Sequence, residues 1–135
     1  DMLILVRGVP GSGKSTWARS QAYKPNDCAY VFDADTYFVR MDGVYDFNPK
    51  LLSNAHEWCY KRVVQELMAG EIVYVANTFT RLWEMQKYID LANEYNIPFK
   101  IVRCTGHYDN IHGVPKDKVQ QMLDRFEDYE GEEFV

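Results

Sequence analysis

One stretch, Gly8-Val9-Pro10-Gly11-Ser12-Gly13-Lys14-Ser15-Thr16, constrains this chain more than any other. It satisfies the phosphate-loop pattern G-x-x-x-x-G-K-[ST] at every specified position. Gly8, Gly11 and Gly13 permit tight turns and close approach of backbone to a ligand. The N–H groups of such a loop, with the helix N-terminus that follows, form a concavity for anions. Lys14 adds a point charge for the β- and γ-phosphates, and the Ser15 hydroxyl is placed to ligate Mg²⁺. The flanks suit the motif. Met2-Leu3-Ile4-Leu5-Val6 reads as a strand buried on both faces, and Thr16 to Ala22 reads as a helix ended by Lys24-Pro25-Asn26. The expected nucleotide contacts are therefore Gly8, Pro10, Gly11, Ser12, Gly13, Lys14, Ser15 and Thr16.

The rest of the chain repeats strand and helix in alternation. Strands are expected at Cys28–Phe32, Ile72–Ala76 and Phe99–Cys104. Asn48-Pro49 starts a helix with an N-cap oxygen and a proline at the first turn. Leu51, Leu52, Ala55, Trp58, Cys59, Val63 and Leu67 follow at helical spacing, and Gly70 closes the helix. Thr80 is expected to cap a helix with an inner face of Trp83, Tyr88, Leu91, Ala92 and Tyr95, with Asn96 in the left-handed position beyond it. Val39 to Phe47 reads as a loop. Pro115 opens a last helix with Val119, Met122, Leu123 and Phe126 on one face, and the acidic residues from 124 to 135 read as its solvated end and tail. Such alternation implies an α/β fold: a parallel sheet of about four strands flanked by helices in a single domain over 1–135, with a lid segment at about 105–115.

Fifteen basic against twenty acidic residues give a net charge of −5, which argues against a broad nucleic-acid coat but not against a local basic groove. Cys28, Cys59 and Cys104 lack metal spacing and suit buried reduced thiols. No apolar run reaches the length of a membrane span, and no signal peptide is evident, so the expected compartment is the cytoplasm.

Ligands of open parallel sheets gather beyond the carboxyl ends of strands. That places Asp33 and Asp35 opposite Lys14. Asp35 is the preferred catalytic base and Asp33 is given a turn or metal-shell role. Asn77 and Thr78 end the third strand where many phosphate-loop enzymes carry an aspartate; they can orient a water or acceptor, or cap the next helix. His56 is a packing residue or a cleft residue. The segment 105–115 has the size of a lid, with His107, Asn110 and His112 as its polar content. Arg40, Arg81, Arg103 and Arg125 are candidates for anion contact.

Several blocks together carry a resemblance. Gly8 to Arg19, Asp35-Thr36-Tyr37, Asn77-Thr78 and Asn110-Ile111-His112-Gly113-Val114-Pro115, with Met122 and Arg125-Phe126-Glu127, resemble the kinase domain of bacteriophage polynucleotide 5′-hydroxyl kinases and related small phosphate-loop proteins. The resemblance implies Lys14 and Ser15 on ATP and Mg²⁺, and Asp35 activating the acceptor hydroxyl. It also implies a nucleic acid or nucleotide-like acceptor and, for a phage-encoded protein, the host cytoplasm. Two departures stand out. Phe38 occupies the place of an arginine that contacts the acceptor's phosphate, and Asp109 lies near that of a lid arginine. Tyr37, Phe38 and Tyr45 beside Asp35 suit stacking of a base, which keeps a kinase of 5-hydroxymethyluracil in DNA as an alternative. A nucleotide-dependent binding module is the other. The oligomeric state stays open.

Overall fold

The structure is a computed structural model and describes residues 1–25, 28–109 and 112–135. Its sheet comprises β1 (Met2–Arg7), β2 (Ala29–Phe32), β3 (Ile72–Asn77), β4 (Phe99–Arg103) and β5 (Glu133–Phe134). The order is β2-β3-β1-β4-β5 and every pairing is parallel. The helices are α1 (Lys14–Ala22), α2 (Leu52–Met68), α3 (Trp83–Glu94) and α4 (Lys116–Arg125). The α/β expectation holds, with five strands instead of four. Chain leaving β1 runs left through α1 to β2, whereas chain leaving β3 runs right through α3 to β4. The switch point is thus the crevice at the carboxyl ends of β1 and β3, where ligands of such sheets bind.

Period-two alternation in β1 builds both faces of the core. Leu3 and Leu5 join Val73, Val75 and Ile101 under α2 and α3. Ile4 and Val6 join Ala76, Val102 and Cys104 against Ala18 and Trp17 of α1. Four apolar residues at successive helical turns, Ala55, Cys59, Val63 and Leu67, bury one stripe of α2. Asn48 Oδ1 accepts from the Lys50 N–H at 3.0 Å, and Pro49 opens a single 3-10 turn (Pro49–Leu51) that feeds α2. Asn96 takes the left-handed position expected of it, at φ 54°.

Several expectations are corrected. Trp83 is 75% exposed and Tyr95 is exposed too, while Met85 and Ile89 are buried with Tyr88, Leu91 and Ala92. Trp83 precedes Met85 by two residues, which sets it on the opposite side of the helix. Thr80 does not cap α3; its hydroxyl donates to Glu84, and the free N–H groups of Arg81 and Leu82 go to Glu84 and Glu127. No residue of α4 is buried, so the expected face of Val119, Met122 and Leu123 packs on nothing deep. Cys28 is exposed, unlike Cys59 and Cys104. Finally, the acidic end is not a solvated tail: it returns to the sheet as β5, pairing Val102 with Glu133 and Arg103 with Phe134. Glu132 is what draws it in, through an ion pair with the buried Arg7 at 3.0 Å.

Candidate active site

The loop between β1 and α1 is tied down on both sides. Gly8 N–H donates to the Thr78 carbonyl at 3.2 Å, joining the carboxyl ends of β1 and β3. On the other flank Gly106 N–H donates to Ser12 and Tyr108 N–H to Gly11, at 3.2 and 2.7 Å. Gly8 is hemmed in by its neighbours, and Gly13 is constrained by both space and conformation. A Cβ on Gly8 would lie 2.3 Å from Ser12 Oγ, and one on Gly13, where φ is +87°, would lie 2.9 Å from the Tyr108 ring. Ser12 Oγ is itself buried with no hydrogen-bond partner among the described residues. A loop with a packed glycine frame and an unsatisfied buried hydroxyl fits a polyanionic ligand. Pro10, Ser15 and Thr16 complete the turn and first helical residues. Beside the loop, Trp17, Cys104, Gly106 and Tyr108 line a cleft of about 100 Å³.

Lys14 and Asp35 share one electrostatic neighbourhood. Burial pushes the Lys14 ammonium below its ordinary value, and the Asp35 and then Asp33 carboxylates act against that push. Asp35 begins the 3-10 turn Asp35–Phe38 just past β2. Asp33 sets that turn: its Oδ1 accepts both the N–H and the hydroxyl of Thr36, each at 2.7 Å. Asp35 instead meets two partners. The Tyr45 hydroxyl donates to Oδ1 at 3.3 Å, and His112 Nε2 lies 3.5 Å from Oδ2. The Tyr45 and His112 rings stack at 4.2 Å. His56, on α2, feels the Asp35 charge; burial nonetheless pushes its imidazole below the usual value, with Lys87 adding to the effect.

Other predicted residues are placed elsewhere. Phe38 is buried in the main core, packed edge-on against Tyr45 and Phe47, and presents no face to a ligand. Tyr37 keeps partial exposure, tilted on Trp58. Arg40 pairs within its own loop, with Asp42 at 2.9 Å and Asp46 at 3.9 Å. Arg103 is engaged by Asp128 and Glu132 and stacked on Phe126 and Phe134, away from the loop. Both arginines are thus paired with carboxylates of the chain itself. Asn77 is tied within the protein: its Oδ1 accepts from the Ala34 N–H at 2.9 Å and its Nδ2 contacts Cys59 Sγ. That amide pins the residue before Asp35, so β3 sets where the carboxylate stands. Of the lid, Gly106 and Tyr108 pack against the phosphate loop, Thr105 bonds the Val135 carbonyl, and His112 reaches Asp35; Asn110 lies outside the described residues.

The sequence sets Tyr45 near Asp35 as a stacking residue, but the hydrogen bond from its hydroxyl to Asp35 was not expected, although a signal was present. Asp42-Gly43 is a hairpin turn pair. Gly43 takes φ +85°, the Arg40 N–H donates to the Val44 carbonyl across the turn, and Val39 bridges Tyr45. The hairpin brings Tyr45 back over Asp35.

Comparison with known proteins agrees with this geometry. Human NEDD4-binding protein 2 is 34% identical over 137 aligned residues, which cover 93% of this chain but only 8% of that protein. The chain therefore spans less than a tenth of this relative's length. Among solved structures, Chaetomium thermophilum Kti12 in complex with ADP-AlF3 superposes with a TM-score of 0.73 at 14% identity, covering 98% of this chain and 88% of that one. A chain of the Pnkp1/Rnl/Hen1 RNA repair complex gives 0.71 at 19% identity, covering 92% and 43%. The structural likenesses establish the fold, a parallel α/β sheet with a phosphate loop after its first strand, in agreement with the fold implied by the resemblance to polynucleotide kinases. A family model described as an AAA domain matches residues 3–107, most of the sheet together with the phosphate loop, and the chain belongs to that family.

Proposed function

We propose that this domain is a Mg²⁺-dependent kinase that moves the γ-phosphoryl of ATP to a hydroxyl of a nucleic acid or nucleotide-like acceptor. The observation that carries the reading is that Lys14 opens the helix after the phosphate loop while Asp35 opens the 3-10 turn just past β2, at the same carboxyl edge of the sheet, with the Asp35 charge acting on the Lys14 ammonium. Phosphoryl transfer needs positioning and charge neutralisation at the donor and a group to orient the acceptor. Lys14 and the loop N–H groups supply the first, and Asp35 the second by accepting the acceptor's proton. Ser15 would hold Mg²⁺ together with donor phosphate oxygens, since the described residues contain no cluster of three or more His, Cys, Asp or Glu able to hold a metal on its own. When bound, Mg²⁺ supplies further charge neutralisation at the β- and γ-phosphates. The partly exposed Tyr37 ring, in the same 3-10 turn as Asp35, supports an acceptor that carries a base. A structural likeness to a chain of an RNA repair complex points the same way.

Transfer from γ-labelled ATP tests this reading, with a 5′-hydroxyl oligonucleotide, nucleosides and 5-hydroxymethyluracil DNA as acceptors. Label at oligonucleotide ends is expected. Label on bases within DNA would favour the hypermodification reading instead. Nucleotide binding without transfer to any acceptor would leave a binding module and refute the kinase.

A further inference from the structure

We infer that Tyr45 is a positioning residue that fixes the Asp35 carboxylate for the incoming hydroxyl, with His112 holding the Tyr45 ring from the lid side. The inference rests on Asp35 being the base. The Asp35 side chain is 47% exposed on a short 3-10 turn, so without a partner its carboxylate would rotate freely. A base that must meet one hydroxyl in line with a phosphate cannot do so. Tyr45 removes that freedom by donating to Oδ1, while Oδ2 faces His112 Nε2 at 3.5 Å.

Tyr45 is itself held. The hairpin fixes its backbone through the Val39–Tyr45 bridge and the bond from Asp46 N–H to the Phe38 carbonyl at 2.8 Å. Its ring packs edge-on to the buried Phe38 at 6.3 Å and parallel to Phe47 at 6.3 Å. His112 stacks on it at 4.2 Å and brings Nε2 to 3.5 Å from Oδ2, so it marks the side from which a donor group approaches that oxygen. The charged and titratable groups around Asp35 are Lys14, Asp33, His56, Tyr45 and His112. Burial, then Asp35, pushes the Tyr45 hydroxyl up to about 12. A phenol beside a carboxylate keeps its proton, and so stays a donor throughout the working range.

Tyr45→Phe keeps the ring and deletes the donor. It is measured beside Asp35→Asn and the double variant, using γ-labelled ATP and a 5′-hydroxyl oligonucleotide. Tyr45→Phe should lower kcat roughly ten-fold, the scale of one hydrogen bond to a charged group, with ATP affinity unchanged. In the Asp35→Asn background the same substitution should add nothing. Independently of turnover, the Tyr45 hydroxyl followed by carbon NMR should titrate lower in Asp35→Asn than in the wild type. An unchanged kcat in Tyr45→Phe, an equal loss in both backgrounds, or a Tyr45 titration indifferent to Asp35 would overturn the inference and leave the base assignment standing. Full activity of Asp35→Asn would remove the base itself, and this role with it.

Discussion

Arg7 and Glu132 are 125 residues apart in sequence and form an ion pair of 3.0 Å with side chains 0% and 2% exposed. Glu132→Ala tests what holds the chain's end to its beginning. The remaining partners of the guanidinium would be neutral: Nε and Nη2 donate to the Phe79 carbonyl at 3.0 and 2.7 Å, and Nη2 reaches the Thr80 carbonyl at 3.3 Å. A buried cation that loses its anion costs about 3–5 kcal/mol. The Tyr129 N–H, which donates to Glu132 Oε2 at 2.8 Å, loses its acceptor as well, adding about 1 kcal/mol. Arg103 keeps Asp128 and adds little. The sum is about 4–6 kcal/mol, a large share of the ordinary 5–15 kcal/mol for a domain. With a urea slope of about 2 kcal/mol/M, the unfolding midpoint should fall by about 2–3 M. Circular dichroism and tryptophan fluorescence would follow it. High salt should not shrink the loss, because a buried pair is poorly screened. Asp42→Ala, which breaks the exposed Arg40–Asp42 pair, is the control and should leave the midpoint near wild type. If Glu132→Ala moves the midpoint no further than Asp42→Ala does, the reasoning fails.

Three further outcomes are expected. Asp35→Asn should lower turnover by roughly 10²–10⁴ with ATP binding near wild type, since it removes proton acceptance alone; calorimetry and single-turnover transfer separate the two. Lys14→Ala should weaken nucleotide affinity as well as turnover, and an unaltered ATP dissociation constant would contradict its place in the loop. His56 is pushed below its ordinary value chiefly by burial, so the folded chain binds fewer protons than the unfolded one over that interval. Stability should therefore be full above the unfolded imidazole value of about 6.5 and decline as pH falls toward the folded value. His56→Gln should flatten that part of the acid slope, and parallel slopes in melting experiments would argue against it.

The elements that were legible share one property: their signals are local. The phosphate loop is read from nine consecutive residues, and the strand before it from an unbroken apolar run. The Asn48-Pro49 start and the Gly70 stop of α2 rest on capping chemistry within one turn. Asp35 could be singled out because a carboxylate just past a parallel strand has a known address. The fifth strand was not legible, because two residues in an acidic stretch carry no strand pattern of their own. Asn77 read as an amide that orients a water or acceptor or caps the next helix, and the partner of its oxygen, the Ala34 N–H 43 residues away, was not legible. Arginines 40 and 103 were interchangeable as charges, and only their neighbours show that both are engaged elsewhere.

No helix among the described residues is long and apolar enough to cross a membrane, in keeping with the composition. Sequence alone determined that this chain has an α/β order and an anion-binding loop, because glycine spacing and apolar periodicity act over a few residues. Tertiary structure decided which side chains surround Asp35, and how Arg7 comes to be neutralised by Glu132. Those contacts depend on how the hairpin folds back and how the chain's last residues rejoin the sheet, and pairings over such separations leave no mark in local spacing.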